Sequence, residues 1–194
     1  MVFLGALFVM TFATSFQSST TARSYARAVL TRTCIESAES AFAESIQTVQ
    51  HSLRANDSNS RTSTNWLRAL LPPYDRGRPG GTVNPKRSRQ LLKDLYGVEV
   101  SDVEVQVVDW MVESDPQSLV RAHGVLEFRV TIKGQRGSLQ GDRVVRSRVQ
   151  YVLRYKPISE IPSSQVQGNR VTAPLTPENC HALLFNRPLG LVVD

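Results

Sequence analysis

The stretch Ile35-Glu-Ser-Ala-Glu-Ser-Ala-Phe-Ala-Glu44, which reads IESAESAFAE, decides the fold. It consists of small, acidic and helix-forming residues whose apolar positions recur every three or four residues. This spacing places Ala38, Phe42 and Ile46 on one stripe of an amphipathic helix, while the glutamates lie mostly off it. The pattern predicts a long helix that ends near Asn56, where an Asn/Ser-rich stretch begins.

The chain ahead of this stretch is oily. No ionisable side chain occurs before Arg23, and Val2 to Phe16 is strongly apolar. As a helix, residues 1–22 would be about 33 Å long, enough to cross a bilayer core. We therefore expect membrane insertion or burial in a helical assembly, with an ordinary core helix as the alternative. The predicted anchor and filament-core residues are Phe3, Leu4, Leu7, Phe8, Val9, Phe12 and Phe16.

Together the two segments predict one helix over residues 1–56. A helix with an oily first half and an amphipathic second half cannot bury both halves in its own small domain. The second half is therefore expected to pack on the rest of the chain. The residues predicted to make that contact are Leu30, Phe42, Ile46 and Val49.

Residues 57–97 read as a connecting region of loops and short helices. One short helix is expected before Pro72, and a second from Asn84 to Gly97. Proline is favoured in the first turn of a helix and glycine just after its last turn, which supports the second helix.

Residues 98–194 read as a sheet domain with a proline-rich tail. The valine-rich run from Val98 to Val112 changes apolar parity near Ser101 and again near Val107, which indicates bulges or a bend. Leu126–Ile132 and Val145–Tyr155 alternate with period two, as half-buried strands do. We predict an α+β fold in which the long N-terminal helix packs on an antiparallel sheet of three to four strands. The apolar end of the tail is expected to dock, for example as an edge strand.

The chain is basic, with a formal net charge of +6. If the strand register follows the alternation, arginines collect on the outer face of the sheet. A solvated or subunit-contacting face is favoured, because nucleic-acid platforms interleave aromatic side chains with such charges and here the aromatics alternate to the other face. Contact with DNA remains the alternative. The candidate basic residues are Arg129, Arg146, Arg148 and Arg154.

Catalysis finds little support in the sequence. The three histidines are scattered, and no zinc-protease, paired-cysteine or nucleophile-elbow motif occurs. We expect no catalytic residues, cofactor, metal or small-molecule substrate. Cys34 and Cys180 remain open as a disulfide or as free thiols, since nothing in the sequence brings them together.

The oily N-terminus, the Ser/Thr-rich residues that follow, the scattered arginines and the box Ala38-Glu-Ser-Ala41 resemble the N-terminal region of type IV pilin-like proteins, nearest to the PilX type of minor pilin. The resemblance covers about residues 2–50. The oily segment contains no glutamate, unlike that of major pilins, and this departure suits a subunit at a filament tip.

The resemblance implies a non-enzymatic subunit of a pilus-like filament or pseudopilus. It implies partners that are other copies or other pilin-like subunits, joined through the N-terminal helix. It also implies residence in a bacterial inner membrane before assembly and in a periplasmic or extracellular filament afterwards. The alternatives are a single-span protein whose periplasmic α+β domain scaffolds a secretion or envelope complex, and a DNA-binding protein that uses the basic sheet.

Overall fold

The computed structural model describes residues 2–54, 61–71, 79–112, 120–136, 139–168 and 170–193, with side chains described for 14–53, 66–71, 80–112, 121–135, 140–168, 170–185 and 190–193. It confirms an α+β fold with a long N-terminal helix and an antiparallel sheet. The helices are α1 (Val2–Arg54), α2 (Arg61–Leu70) and α3 (Lys86–Tyr96). The strands are β1 (Pro79–Val83), β2 (Glu99–Val100), β3 (Val103–Val112), β4 (Val120–Arg136), β5 (Leu139–Tyr155), β6 (Val166–Gln167), β7 (Arg170–Val171) and β8 (Cys180–Val193).

The main sheet is larger than the sequence predicted. Within the described residues it has six strands in the order β1-β3-β4-β5-β8, with β2 also paired to β4, and every pairing is antiparallel. The prediction of three to four strands was wrong because β1 and β2 are too short, and β8 too rich in turn formers, to show the period-two pattern. The tail does form an edge strand of its own sheet, as β8 pairs with β5.

Both changes of parity in the valine-rich run correspond to structural breaks. Ser101 and Asp102 separate β2 from β3, although both strands pair with β4. A register shift between Val107 and Asp109 marks a bulge opposite Leu126 and Val125. The first break keeps the valines on the buried face, since Val98, Val100 and Val103 are all buried, whereas Val112 beyond the second break is exposed.

The core lies between the second half of α1 and one face of the sheet. Small side chains in the IESAESAFAE stretch let helix and sheet approach closely, since Ala38 and Ala41 are fully buried. Phe42, Ile46 and Val49 are buried beside them, and α2 contacts both edge strands, β1 and β8. The sheet therefore curves around the helices. Its largest fully buried side chains include Tyr151, Phe128, Leu126 and Ile132.

Helix α3 is fixed to α1 by a carboxylate from α1. The Glu44 side chain accepts hydrogen bonds from the backbone amides of Arg87 (3.1 Å) and Ser88 (2.8 Å). These amides lie in the first turn of α3, where no partner exists within the helix, and Pro85 offers no side-chain cap. The Ser88 hydroxyl also donates to the Ser40 carbonyl at 3.2 Å. Gly97 ends α3 in the left-handed conformation at φ 63°, as predicted.

Helix α1 leaves the head at the β4–β5 hairpin. Gly134 and Gly141 face each other across the two strands. A Cβ atom at Gly134 would lie 2.8 Å from Leu30 Cδ1, so the bare backbone there makes room for Leu30. Leu30 is partly buried against the core, and every side chain from Thr14 to Tyr25 is exposed. The head of the molecule therefore begins near Leu30.

The predicted localisation in a bacterial inner membrane is contradicted. Among the residues searched, no helix combines the length and the apolar character that a membrane crossing requires. The part of α1 with described side chains begins at Thr14 and includes the polar stretch from Gln17 to Thr21, followed by Arg23 and Arg27. Phe16, a predicted anchor residue, is exposed. The side chains of the other predicted anchor residues, Phe3, Leu4, Leu7, Phe8, Val9 and Phe12, lie outside the described set.

The cap of α3 makes stability depend on pH. Burial alone would raise the pKa of Glu44, but the hydrogen bonds from Ser88 and Arg87 outweigh it and lower the pKa. We expect Glu44→Gln to reduce the free energy of unfolding by about 1 kcal/mol at pH 7. The charged carboxylate stabilises the fold fully above its unfolded pKa of about 4.3, and this contribution is lost as the pH falls through the lower, folded value.

Urea denaturation of both proteins from pH 7 to pH 3 checks this expectation. The matched control is Glu39→Gln on another face of α1, where the carboxylate is exposed. The gap between wild type and Glu44→Gln should close at low pH. A gap that is the same at both pH values would show that the charge of Glu44 does not cap α3.

Gly124 marks the closest approach of strands in the core. A Cβ atom there would collide with the Asp109 carbonyl oxygen and lie 2.8 Å from the Tyr151 ring. We expect Gly124→Ala to lower the free energy of unfolding by about 1–3 kcal/mol, because a backbone atom cannot move aside cheaply. Gly141→Ala is the control, since its Cβ would meet only Leu30 Cδ2 at 3.5 Å. Equal urea midpoints for the two variants would contradict this account.

Candidate assembly surface on the long helix

The first turns of α1 with described side chains, from Thr14 to Tyr25, form a surface that no other described residue covers. Phe16 is 65% exposed and Tyr25 is 68% exposed, although both are aromatic. Large exposed aromatic side chains on an otherwise polar helix are typical of contact surfaces. Of the predicted anchor and filament-core residues, Phe16 alone has a described side chain, and it is exposed.

Three hydroxyl groups on this surface are bonded to the backbone of their own helix. The Ser19 hydroxyl donates to the Phe16 carbonyl at 2.8 Å, and the Thr21 hydroxyl donates to the Gln17 carbonyl at 2.8 Å. Thr20 bonds the Phe16 and Gln17 carbonyls in the same way. A hydroxyl bonded to its own helix needs no water and tolerates transfer to a dry interface. These three hydroxyl groups can therefore be buried against another helix and keep their hydrogen bonds.

A cavity continues this surface into the head. It has a volume of about 340 Å³ and lies between α1 and β8. Phe42, Ile46 and Leu191 supply apolar lining, and the exposed residues Ala43 and Glu39 also line the cavity. Because α3 packs on the other side of α1 through Ser40 and Glu44, the exposed stripe of α1 runs in a groove between α3 and β8.

The outer face of the sheet is less basic than the sequence predicted. Arg129 lies between Glu104 and Arg146 across three strands. Arg148 forms an ion pair with Glu127 at 3.0 Å. The acidic partners on β2 and β3 interleave with the basic residues, so the face is a mixed ladder of charge. Arg129 and Arg148 are exposed, whereas Arg146 and Arg154 are half-buried.

A second concavity lies at the far end of the same face and was not predicted. It has a volume of about 350 Å³, and its walls include Trp110, Val125, Val152 and Phe185. Asp109 and His123 are its charged and titratable lining residues. The signal in the sequence was weak, because these residues come from four strands whose register no local pattern reveals.

The two cysteines are free thiols, so the disulfide alternative is wrong. Cys34 lies under the β4–β5 hairpin, where its sulfur is 3.3 Å from the Cβ position of Gly134. Cys180 pairs with Tyr155 at the other end of β5. The length of β5 between these points is on the order of 40 Å at 3.3 Å per residue, far beyond the reach of a disulfide.

The described residues contain no group of three or more histidine, cysteine, aspartate or glutamate side chains that could hold a metal ion. No family model matches this chain, and no curated protein and no solved structure matches it either. Its function is therefore argued from its own surfaces.

The burial of both thiols makes a chemical prediction. Burial raises the pKa of Cys180 to about 11 and also raises the pKa of Cys34. Since the thiolate is the reactive form, the native protein should react with Ellman's reagent at pH 8 more than about a hundredfold more slowly than the unfolded chain. Unfolding in urea should release two reactive thiols per chain. Loss of that signal without reductant would indicate a disulfide and contradict the structure.

Proposed function

We propose that this chain is a non-enzymatic structural subunit of a pilus-like filament, in which copies associate through the N-terminal half of α1. The observation that carries the proposal is the exposed run from Thr14 to Tyr25, which extends past the head without covering from the described residues. A helix in a protein gains most of its stability from the packing of its apolar face against other elements. We therefore expect this exposed helical segment to pack against other copies of the chain.

Three further features support assembly through this segment. The hydroxyl groups of Ser19, Thr20 and Thr21 donate to the helix backbone, so these three donors stay paired on burial. The sequence ahead of it, Val2 to Phe16, is strongly apolar. The head is separately stabilised by its own core, so it can present its outer surfaces while α1 joins a bundle. In the filament we place Phe16 and Tyr25 among the contacts between subunits.

A charge placed on the exposed helix tests this function. Ala22→Glu should leave the melting temperature of the head unchanged, since the position is exposed, and should abolish filaments because each contact would bury a carboxylate. The matched control is Ser164→Glu, at an exposed position of the head. Negative-stain electron microscopy and sedimentation of the purified chain provide the measurement. A wild-type chain that stays monomeric, or an Ala22→Glu variant that assembles normally, would overturn the proposal.

A further inference from the structure

One stripe of α1 remains exposed from the first described turn to the middle of the head. Its members follow a spacing of three and four residues, which keeps them on one side of a helix. Toward the N-terminus it carries Tyr25, in its middle Arg32 and Glu36, and in the head Glu39 and Ala43. All five side chains are exposed. The head part of the stripe lies in the groove between α3 and β8.

The features along this stripe are arranged symmetrically about position 34. Arg32 and Glu36 lie two residues on either side of it, and Tyr25 and Ala43 lie nine residues on either side, about 14 Å along the axis. An exposed aromatic side chain and an apolar cavity are thus equidistant from a pair of opposite charges. A stripe with this order is complementary to itself when a second copy lies antiparallel to it.

We propose that two copies of this chain pair antiparallel along this stripe, with Tyr25 of each copy in the cavity between α1 and β8 of the other. The cavity is lined by Phe42, Ile46 and Leu191, and it is incomplete until the aromatic ring fills it. This inference rests on the proposed function only in taking α1 as the element that joins copies, and it names the contact surface and its partner.

Charge complementarity selects the antiparallel direction. Arg32 and Glu36 form an ion pair of 2.8 Å within one helix, with 82% and 58% of their side chains exposed. In the antiparallel pair each Arg32 also faces a Glu36 of the second copy, which gives a cluster of four alternating charges at the two-fold axis. A parallel pair with Tyr25 in the same cavity would instead place Ser18 beside Glu36 and leave Arg32 without an acidic neighbour across the interface.

The small residues on the stripe permit the close approach that the pairing requires. Ser18, Thr21 and Ala22 precede Tyr25 on this side of α1, and Ala43 lines the cavity. On the opposite side of α1, Arg23 and Arg27 stay available for contacts between pairs. A two-fold pair therefore leaves the opposite side of α1 accessible for contacts with other pairs.

Sedimentation equilibrium with aromatic variants of the full chain tests the cavity contact. Tyr25→Ala should raise the dissociation constant of the pair at least about tenfold, because in a symmetric pair one substitution removes the aromatic ring from both cavities. Ala43→Arg should abolish pairing by filling the cavity with a charged side chain. Tyr96→Ala is the matched control, since Tyr96 is an aromatic residue of α3 that is 57% exposed. An unchanged dissociation constant for Tyr25→Ala would overturn the inference.

Charge reversal tests the two-fold centre. Arg32→Glu alone should weaken pairing about tenfold or more, and the double variant Arg32→Glu/Glu36→Arg should restore it, because the reversed pair is again complementary to its copy. Arg89→Glu, which breaks the ion pair between Arg89 of α3 and Asp102 of the β2–β3 connection, should leave pairing unchanged. Failure of the double variant to recover would count against the axis at position 34.

A spin-label distance separates the two directions of pairing. With Thr20→Cys labelled while the buried native thiols stay unlabelled, the antiparallel pair separates the two labels by about 42 Å along the helix axis, whereas the parallel arrangement separates them by about 27 Å. The shorter distance would overturn the antiparallel pairing. Filaments that form normally in Ala43→Arg, whose cavity is blocked, would overturn this inference and leave the proposed function standing. A stable pair of wild-type chains that never forms filaments would overturn the proposed function and leave this inference standing.

Discussion

The close contact between α1 and the sheet is the constraint on which the rest of this molecule depends. It is possible because the IESAESAFAE stretch offers Ala38 and Ala41 to the sheet and keeps bulk for Phe42. One face of the same ten residues builds the core, a second holds α3 through Glu44, and a third stays open beside β8. A single helix thereby organises both the interior of the head and its exposed groove.

Much of the fold could be predicted because its signals are local. The three-to-four spacing along α1, the glycine at the end of α3 and the two parity changes in the valine run each depend on neighbouring residues. The short strands β1 and β2 and the irregular β8 escaped prediction because their pairing is set by distant partners. Cavities between elements are harder still, since the 340 Å³ cavity needs residues from α1, β5 and β8 together.

In the candidate site too, features set by neighbouring residues could be predicted, and features set by distant partners could not. Exposure of Phe16 and Tyr25 follows from a helix longer than its head, which the sequence indicated. The acidic neighbours of the basic residues could not be assigned from the sequence, because Glu99 and Glu104 come from earlier strands and meet Lys133 and Arg129 only through the register. Opposite charges on adjacent strands stabilise a sheet modestly and reduce the long-range field that nucleic acid would feel. The ladder is thus better suited to protein neighbours than to a polyanion.

From Thr14 to Leu53, α1 contains neither proline nor glycine, so nothing between its exposed turns and the head acts as a hinge. The helix is then a lever of fixed length and phase. Each residue between Tyr25 and Leu30 sets about 1.5 Å of reach and about 100° of rotation of the head around the axis. Substitutions in this short neck change chemistry alone, but a single deletion would turn the head by more than a quarter of a circle relative to its neighbours.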